Sequence, residues 1–156
     1  KTDSEITARF ESGIQAALTE SGWSYERLIS KEDMNFRDYI EQEIGAGHSG
    51  LVVIATDQET LLEAAEMLAA FPIHASYING LYGRGNTVPI LNYLDKEIIT
   101  GLYASDDFSA GYLSVKAAVD LISNQNGYHA VGIDSYYIRK EDITKPEFEK
   151  KLYPIS

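Results

Sequence analysis

Polar residues capable of hydrogen-bonding chemistry stand directly after three apolar, β-forming runs. Thr56 and Asp57 follow residues 51–55, Asn79 and Gly80 follow residues 73–78, and Ser105 and Asp106 follow residues 98–104. Hydroxyl, amide and carboxylate groups of this kind hold a small polar ligand by accepting and donating hydrogen bonds. Each position has a plainer use, because such residues also cap the helix that comes next. Capping alone accounts for Asp57 and Asp107 taken singly. What points to a ligand is that several such positions fall at the ends of successive strands.

Catalytic arrangements are hard to build from the same residues. There is no Gly-x-Ser-x-Gly elbow, and no serine has a histidine and an acid at suggestive positions. The run Gly80-Leu-Tyr-Gly83-Arg-Gly85 has neither the spacing nor the Lys-Ser/Thr pair of a phosphate loop. It reads as a flexible loop, or as a loop lining a ligand cleft. A phospho-receiver reading would use Asp57 with Glu32 and Asp33 as an acidic magnesium pair. It needs a Thr or Ser and then a Lys at later strand ends. Asn79 and Ser105 occupy those places without a following Lys, and the chain opens with a helix where that fold opens with a strand. His48, His74 and His129 show no metal-ligand spacing. No cofactor and no metal is expected, and binding rather than catalysis is the expected activity.

The elements that must carry these residues alternate. Ile6, Phe10, Ile14, Ala17 and Leu18 mark one face of a helix over residues 4–20, closed by Gly22. Residues 25–29 suit a short strand, and Asn35 can cap a helix carrying Phe36, Tyr39, Ile40 and Ile44. Residues 51–55 read as a strand buried on both faces. A helix from Asp57 to Pro72, a strand over 73–78, a short helix with Ile90, Leu91 and Leu94, and a strand over 98–104 follow. A long helix then runs to Ile122, residues 128–138 are rich in β-formers, and residues 144–153 make a last helical turn or two. Such alternation predicts an α/β fold, three layers with a mostly parallel sheet between helices. Ligands in that architecture lie beyond the C-terminal strand ends.

Composition narrows the partners. The 156 residues carry a net charge of −11, with no basic stripe to contact phosphates, which argues against nucleic acid. A hydrophobic share of 44% supports one well-buried core, and no apolar run approaches the length of a membrane span. The absence of cysteine removes disulfides, thiolate catalysis and Cys-ligated zinc together.

One stretch is more specific. Residues 97–122, with Asp107-Phe108-x-x-Gly111-Tyr112-x-x-Val115-x-Ala117, resemble the type I periplasmic sugar-binding proteins of the ribose- and galactose-binding kind. The opening helix, Arg9 to Leu18 with Gly13-Ile14, is similar to that family's first helix, and the ending through Ile133-Asp-Ser and Leu152-Tyr-Pro-Ile155 to its last strand and tail. The resemblance implies a periplasmic-binding-protein-like lobe. Residues 1–104 would form the C-terminal ligand-binding lobe, and 105–137 a hinge, helix and strand of an N-terminal lobe whose main part is absent. Residues 138–156 would be the return segment and tail. The chain opens at Lys1 without a Met, as a trimmed or processed chain does.

The same resemblance places ligand contacts at Arg9, Thr56, Asp57, Asn79, Ser105 and Asp106. Arg9 stands one position before the family's arginine, and Asn79 replaces an Asp, whose carboxylate would accept stronger hydrogen bonds. It implies a sugar-like solute as ligand, an extracellular or cell-surface setting rather than a cytoplasmic one, and an ABC permease or a sensor kinase as partner. The alternative it leaves is the effector domain of a LacI-like transcription regulator. The tail lacks the Pro-x-x-Leu-x-x-Arg pattern in which such domains end. Finally, the helix after Asp107 carries two apolar stripes. Phe108, Tyr112, Val115, Val119 and Ile122 form one, and Leu113, Ala117 and Leu121 the other. That pattern predicts two buried faces, covered by folding back or by a second copy of the chain.

Overall fold

A computed structural model describes residues 2–22, 35–122 and 132–153. The chain divides into two compact units, Lys1–Arg84 and Gly85–Ser156. Each described strand is preceded and followed in sequence by a helix, in keeping with the expected α/β class, although α3 and α4, and α7 and α8, follow one another without a strand between them.

The first unit runs α1 (Thr2–Ser21), α2 (Phe36–Gly45), β1 (Leu51–Ile54), α3 (Gln58–Ala70), α4 (Pro72–Ala75) and β2 (Ile78–Arg84). The expected strand at residues 25–29 lies outside the described residues, as do Glu32, Asp33 and His129. Asn35 does cap α2. Its side chain accepts from the Asp38 backbone N–H at 3.1 Å while Asp38 accepts from the Asn35 N–H at 3.3 Å. This reciprocal box satisfies two donors that the helix leaves unpaired. Asn35→Ala should therefore lower stability by about 1 kcal/mol, read from the denaturant midpoint. A change below about 0.3 kcal/mol would show that this helix end does not contribute.

The core of this unit follows from the spacing of α3. Leu61, Ala64, Ala65 and Leu68 recur on one face and are all buried. That face lies against β2, where Leu81 and Gly83 are also buried. β1 and β2 pair in parallel, Leu51 opposite Ile78 and Ile54 opposite Tyr82.

Three expectations change here. β1 is not buried on both faces: Leu51 and Val53 are half-buried, while Val52 and Ile54 on the other face remain 51% and 40% exposed. Successive side chains of a strand point to opposite faces, so covering one face leaves the alternate residues to solvent. Residues 73–78 are not a strand. Pro72 sits at the start of the helical turn α4, where its missing N–H costs nothing, and Ile73 is absorbed into that turn. Nor is the Gly80–Gly85 run a loop, since residues 80–84 belong to β2. Its glycines answer close packing. A Cβ on Gly80 would lie 2.6 Å from the Tyr82 ring, and one on Gly83 would lie 3.0 Å from both Leu61 methyls.

The second unit runs α5 (Val88–Asp95), β3 (Gly101–Ser105), α6 (Asp107–Ile122), β4 (Ser135–Ile138), α7 (Lys140–Ile143) and α8 (Pro146–Leu152). β3 and β4 are antiparallel, with Leu102 opposite Ile138 and Ser105 opposite Ser135. Leu102, Ala104 and Ile138 are buried with Ile90, Leu91 and Leu94 of α5, Ile99, Ile143 and Leu152. Gly101, Tyr103 and Ser105 alternate with them on the other face of β3. The Tyr137 ring lies over Gly101, where a Cβ would come within 2.8 Å of it. Strand β3 thus begins three residues later than its apolar run and takes Ser105 into its last position.

Candidate functional site

Within the first unit the structure separates residues that the sequence groups together. Thr56 and Asp57 follow the C-terminal end of β1. Asn79 is the second residue of β2, beside the start of β1, so it lies at the opposite, N-terminal edge of these strands. Its amide rests against Gly50, whose added Cβ would sit 3.1 Å from Asn79 Nδ2. The expectation that Asn79 shares an edge with Asp57 is corrected. The cause is the turn α4, which delays the strand until Ile78.

Asp57 is the N-cap of α3. Its Oδ1 accepts from the Thr60 N–H at 2.9 Å, and its Oδ2 accepts from the Thr60 hydroxyl at 2.8 Å. Arg9 projects from α1 and pairs with Glu5, one turn earlier, at 2.7 Å, with both side chains strongly exposed. An ion pair so placed is worth little.

The second unit builds a polar cluster. Ser105 ends β3, Asp107 opens α6, and Asn86 lies in the segment between β2 and α5. Asn86 Nδ2 donates to Asp107 Oδ2 at 2.7 Å and lies 3.5 Å from the Ser105 carbonyl oxygen. The Ser105 hydroxyl donates to Asp107 Oδ1 at 2.8 Å. One carboxylate therefore fixes two neighbours. Asp106, between them, is 3% exposed and accepts from the Ser109 N–H at 2.9 Å, capping α6.

The chemistry follows from what these bonds leave over. With the Asn86 NH₂ and the Ser105 O–H turned to Asp107, the Asn86 Oδ1, the serine lone pairs and the rest of the carboxylate are acceptors. Ser105 and Asp107 are exposed and Asn86 is half-buried. Such a set receives O–H donors, and holds them without reorganisation because its members are already tied together. Aromatic rings stand close in sequence. Phe108 and Tyr112 stack one helical turn apart, centroids 6.5 Å and planes at 10°.

Two of the three, Asn86 and Asp107, lie outside the residues that the sequence singles out as ligand contacts. The signal for Asn86 is the Arg84-Gly85-Asn86 break between a strand and the Pro89-containing start of a helix. A strand assigned too early hides it.

Carboxylates held below their ordinary range belong to other elements. Glu41 of α2 is lowered first by its hydrogen bond from Arg37, and Asp142 of α7 first by its hydrogen bond from Lys145. No group of three or more His, Cys, Asp or Glu placed to hold a metal occurs among the described residues. No helix among them is long and apolar enough to cross a membrane.

The fold is that of type I periplasmic binding proteins, α/β with a mostly parallel sheet. It is shared with an ABC transporter solute-binding protein from Agrobacterium vitis bound with α-D-tagatopyranose, at 15% identity and TM-score 0.69, covering 96% of this chain and 50% of that one. A solute-binding protein from Bacillus halodurans with bound myo-inositol matches at 22% identity and TM-score 0.56, covering 72% and 38%. A XylFII–LytSN complex matches at 14% identity and TM-score 0.68, covering 90% and 56%. The chain thus spans 38 to 56% of the length of these neighbours. No family model and no curated protein matches its sequence.

Proposed function

We propose that this chain is the ligand-binding lobe of a receptor for a small polyhydroxylated solute, and that it binds this solute without transforming it. The observation that carries the reading is the acceptor cluster of Asn86, Ser105 and Asp107 at the C-terminal end of β3, in a fold where neighbours hold tagatose and inositol. Ligand hydroxyls would donate to these acceptors. Residues 1–104 then serve as the C-terminal lobe, 105–137 as the crossing segment and 138–156 as the return. An N-terminal lobe outside this sequence would supply the other contacts, and closure of the two would bury the solute. The setting is extracellular or cell-surface, and a neighbouring structure of a TorS sensor domain–TorT complex supports coupling to a sensor as well as to transport.

The test is a ¹⁵N chemical-shift titration of the chain with D-tagatose, myo-inositol and a set of pentoses and hexoses. A single lobe makes part of the contacts, so affinities of about 1 mM are expected. At least one sugar should shift the Asn86 side-chain amide and the Ser105 and Asp107 backbone signals in a saturable way. Silence from every sugar, or saturable shifts confined to other residues, would overturn the reading.

A further inference from the structure

Each oxygen of the Asp107 carboxylate already accepts one donor, Oδ1 from the Ser105 hydroxyl at 2.8 Å and Oδ2 from the Asn86 amide at 2.7 Å. A carboxylate has about four acceptor sites, so about one stays open on each oxygen. The Asn86 Oδ1 and the Ser105 lone pairs stand beside it, while the donors of both side chains are turned inward. The set therefore offers acceptors and a full negative charge. A ligand hydroxyl meets it with one donor and no charge. An ammonium meets it with three donors, no acceptor and the opposite charge.

The cations near in sequence stand elsewhere. Between Lys96 and Arg139 five acidic residues, Glu97, Asp106, Asp107, Asp120 and Asp134, are set against one basic residue, Lys116. Lys116 lies about 13 Å along the α6 axis from Asp107, beyond the screening length of about 8 Å at physiological salt. At the far end of β3, Arg139 pairs with Glu141 at 2.9 Å and Lys140 with Glu97 at 3.3 Å. Arg84, two residues before Asn86, is half-buried with its Nε out of solvent. The N-terminus of α6 contributes roughly half a positive charge, less than the whole charge of Asp107. The same helix corrects the expectation of two buried apolar faces. Leu113 and Ala117 are half-buried, whereas Phe108, Tyr112, Val115, Val119 and Ile122 stay exposed.

We propose that this site selects an amino sugar, a polyhydroxylated ring bearing a protonated amine, a step that rests on the receptor reading above. The ammonium would sit on Asp107, and ring hydroxyls would donate to Asn86 Oδ1 and to Ser105. Neutral sugars then bind more weakly, and acidic or phosphorylated ones are repelled.

The experiment is a ¹⁵N titration of the whole chain with matched pairs at about pH 6, where the sugar amine is protonated. The pairs are D-glucosamine with D-glucose, D-galactosamine with D-galactose, and D-mannosamine with D-mannose. In at least one pair the amino sugar should bind about tenfold more tightly and move the Asn86, Ser105 and Asp107 signals. Its N-acetylated form, which has lost the charge, should lose that gain. Raising the salt from about 20 to about 300 mM should shrink the preference, as for any exposed ion pair. Asp107→Asn, which keeps the shape and removes the charge, should bring the ratio within each pair to about one. Equal binding within every pair at these three residues would overturn the amino-sugar assignment and leave the receptor reading standing. A preference that survives Asp107→Asn would trace it to the net charge of −11 and overturn it too. If no sugar, neutral or amino, moves the three residues, both readings fall together.

Discussion

Gly83→Val should destabilise the protein by roughly 3 kcal/mol, with Gly83→Ala intermediate. An added Cβ at this position meets both Leu61 methyls at 3.0 Å and the Ala55 carbonyl oxygen at 3.1 Å. Leu61 is fully buried and Ala55 is 3% exposed, so neither can give way into solvent. Interiors packed near crystal density pass such a clash into the backbone rather than absorbing it. With total stabilities of about 5–15 kcal/mol, the loss is a large fraction of the whole. Equilibrium urea unfolding checks it, and a shift under about 0.5 kcal/mol for the valine would show that α3 and β2 are not closely packed.

Asp107→Ala should weaken sugar binding by about 10- to 100-fold while leaving the unfolding midpoint nearly unchanged. Asp107 accepts from both Asn86 and Ser105, so removing its carboxylate frees two neighbours as well as losing an acceptor. Hydrogen bonds to a charged group contribute about 1.5–3 kcal/mol, and each 1.4 kcal/mol is tenfold in affinity. The carboxylate is exposed, so its loss leaves no buried group unpaired and costs little stability. Asp107→Asn, which keeps the shape, should fall between the two. Titration of the three proteins with whichever sugar binds the wild type decides it. Equal affinities would remove Asp107 from the site.

The helices were the legible part of the chain. Asn35 with Asp38, the α3 face of Leu61, Ala65 and Leu68, and the Asp57 cap are local features, set within four or five residues of one another. Sequence spacing contains all of that information. Strand limits were less legible, because a short apolar run suits a strand or a helical turn equally well. Pro72 resolved residues 72–75 toward a turn, and the error then moved along the chain, turning Gly80–Gly85 from strand into loop and bringing Asn79 forward in place of Asn86.

What the sequence by itself determined was the α/β class, the alternation of elements, the absence of cysteine chemistry and of a basic surface, and Ser105 as a strand-end residue. Only the tertiary structure decided which polar groups meet. Asn86 and Asp107 are 21 residues apart and share a 2.7 Å hydrogen bond, a contact made where the segment before α5 meets the start of α6. It also decided which α6 stripe is covered. The sequence shows two apolar faces of similar composition, and burial depends on what packs against each. The register of strands and the packing of helices are long-range properties. Local propensity constrains them only through the elements it forms.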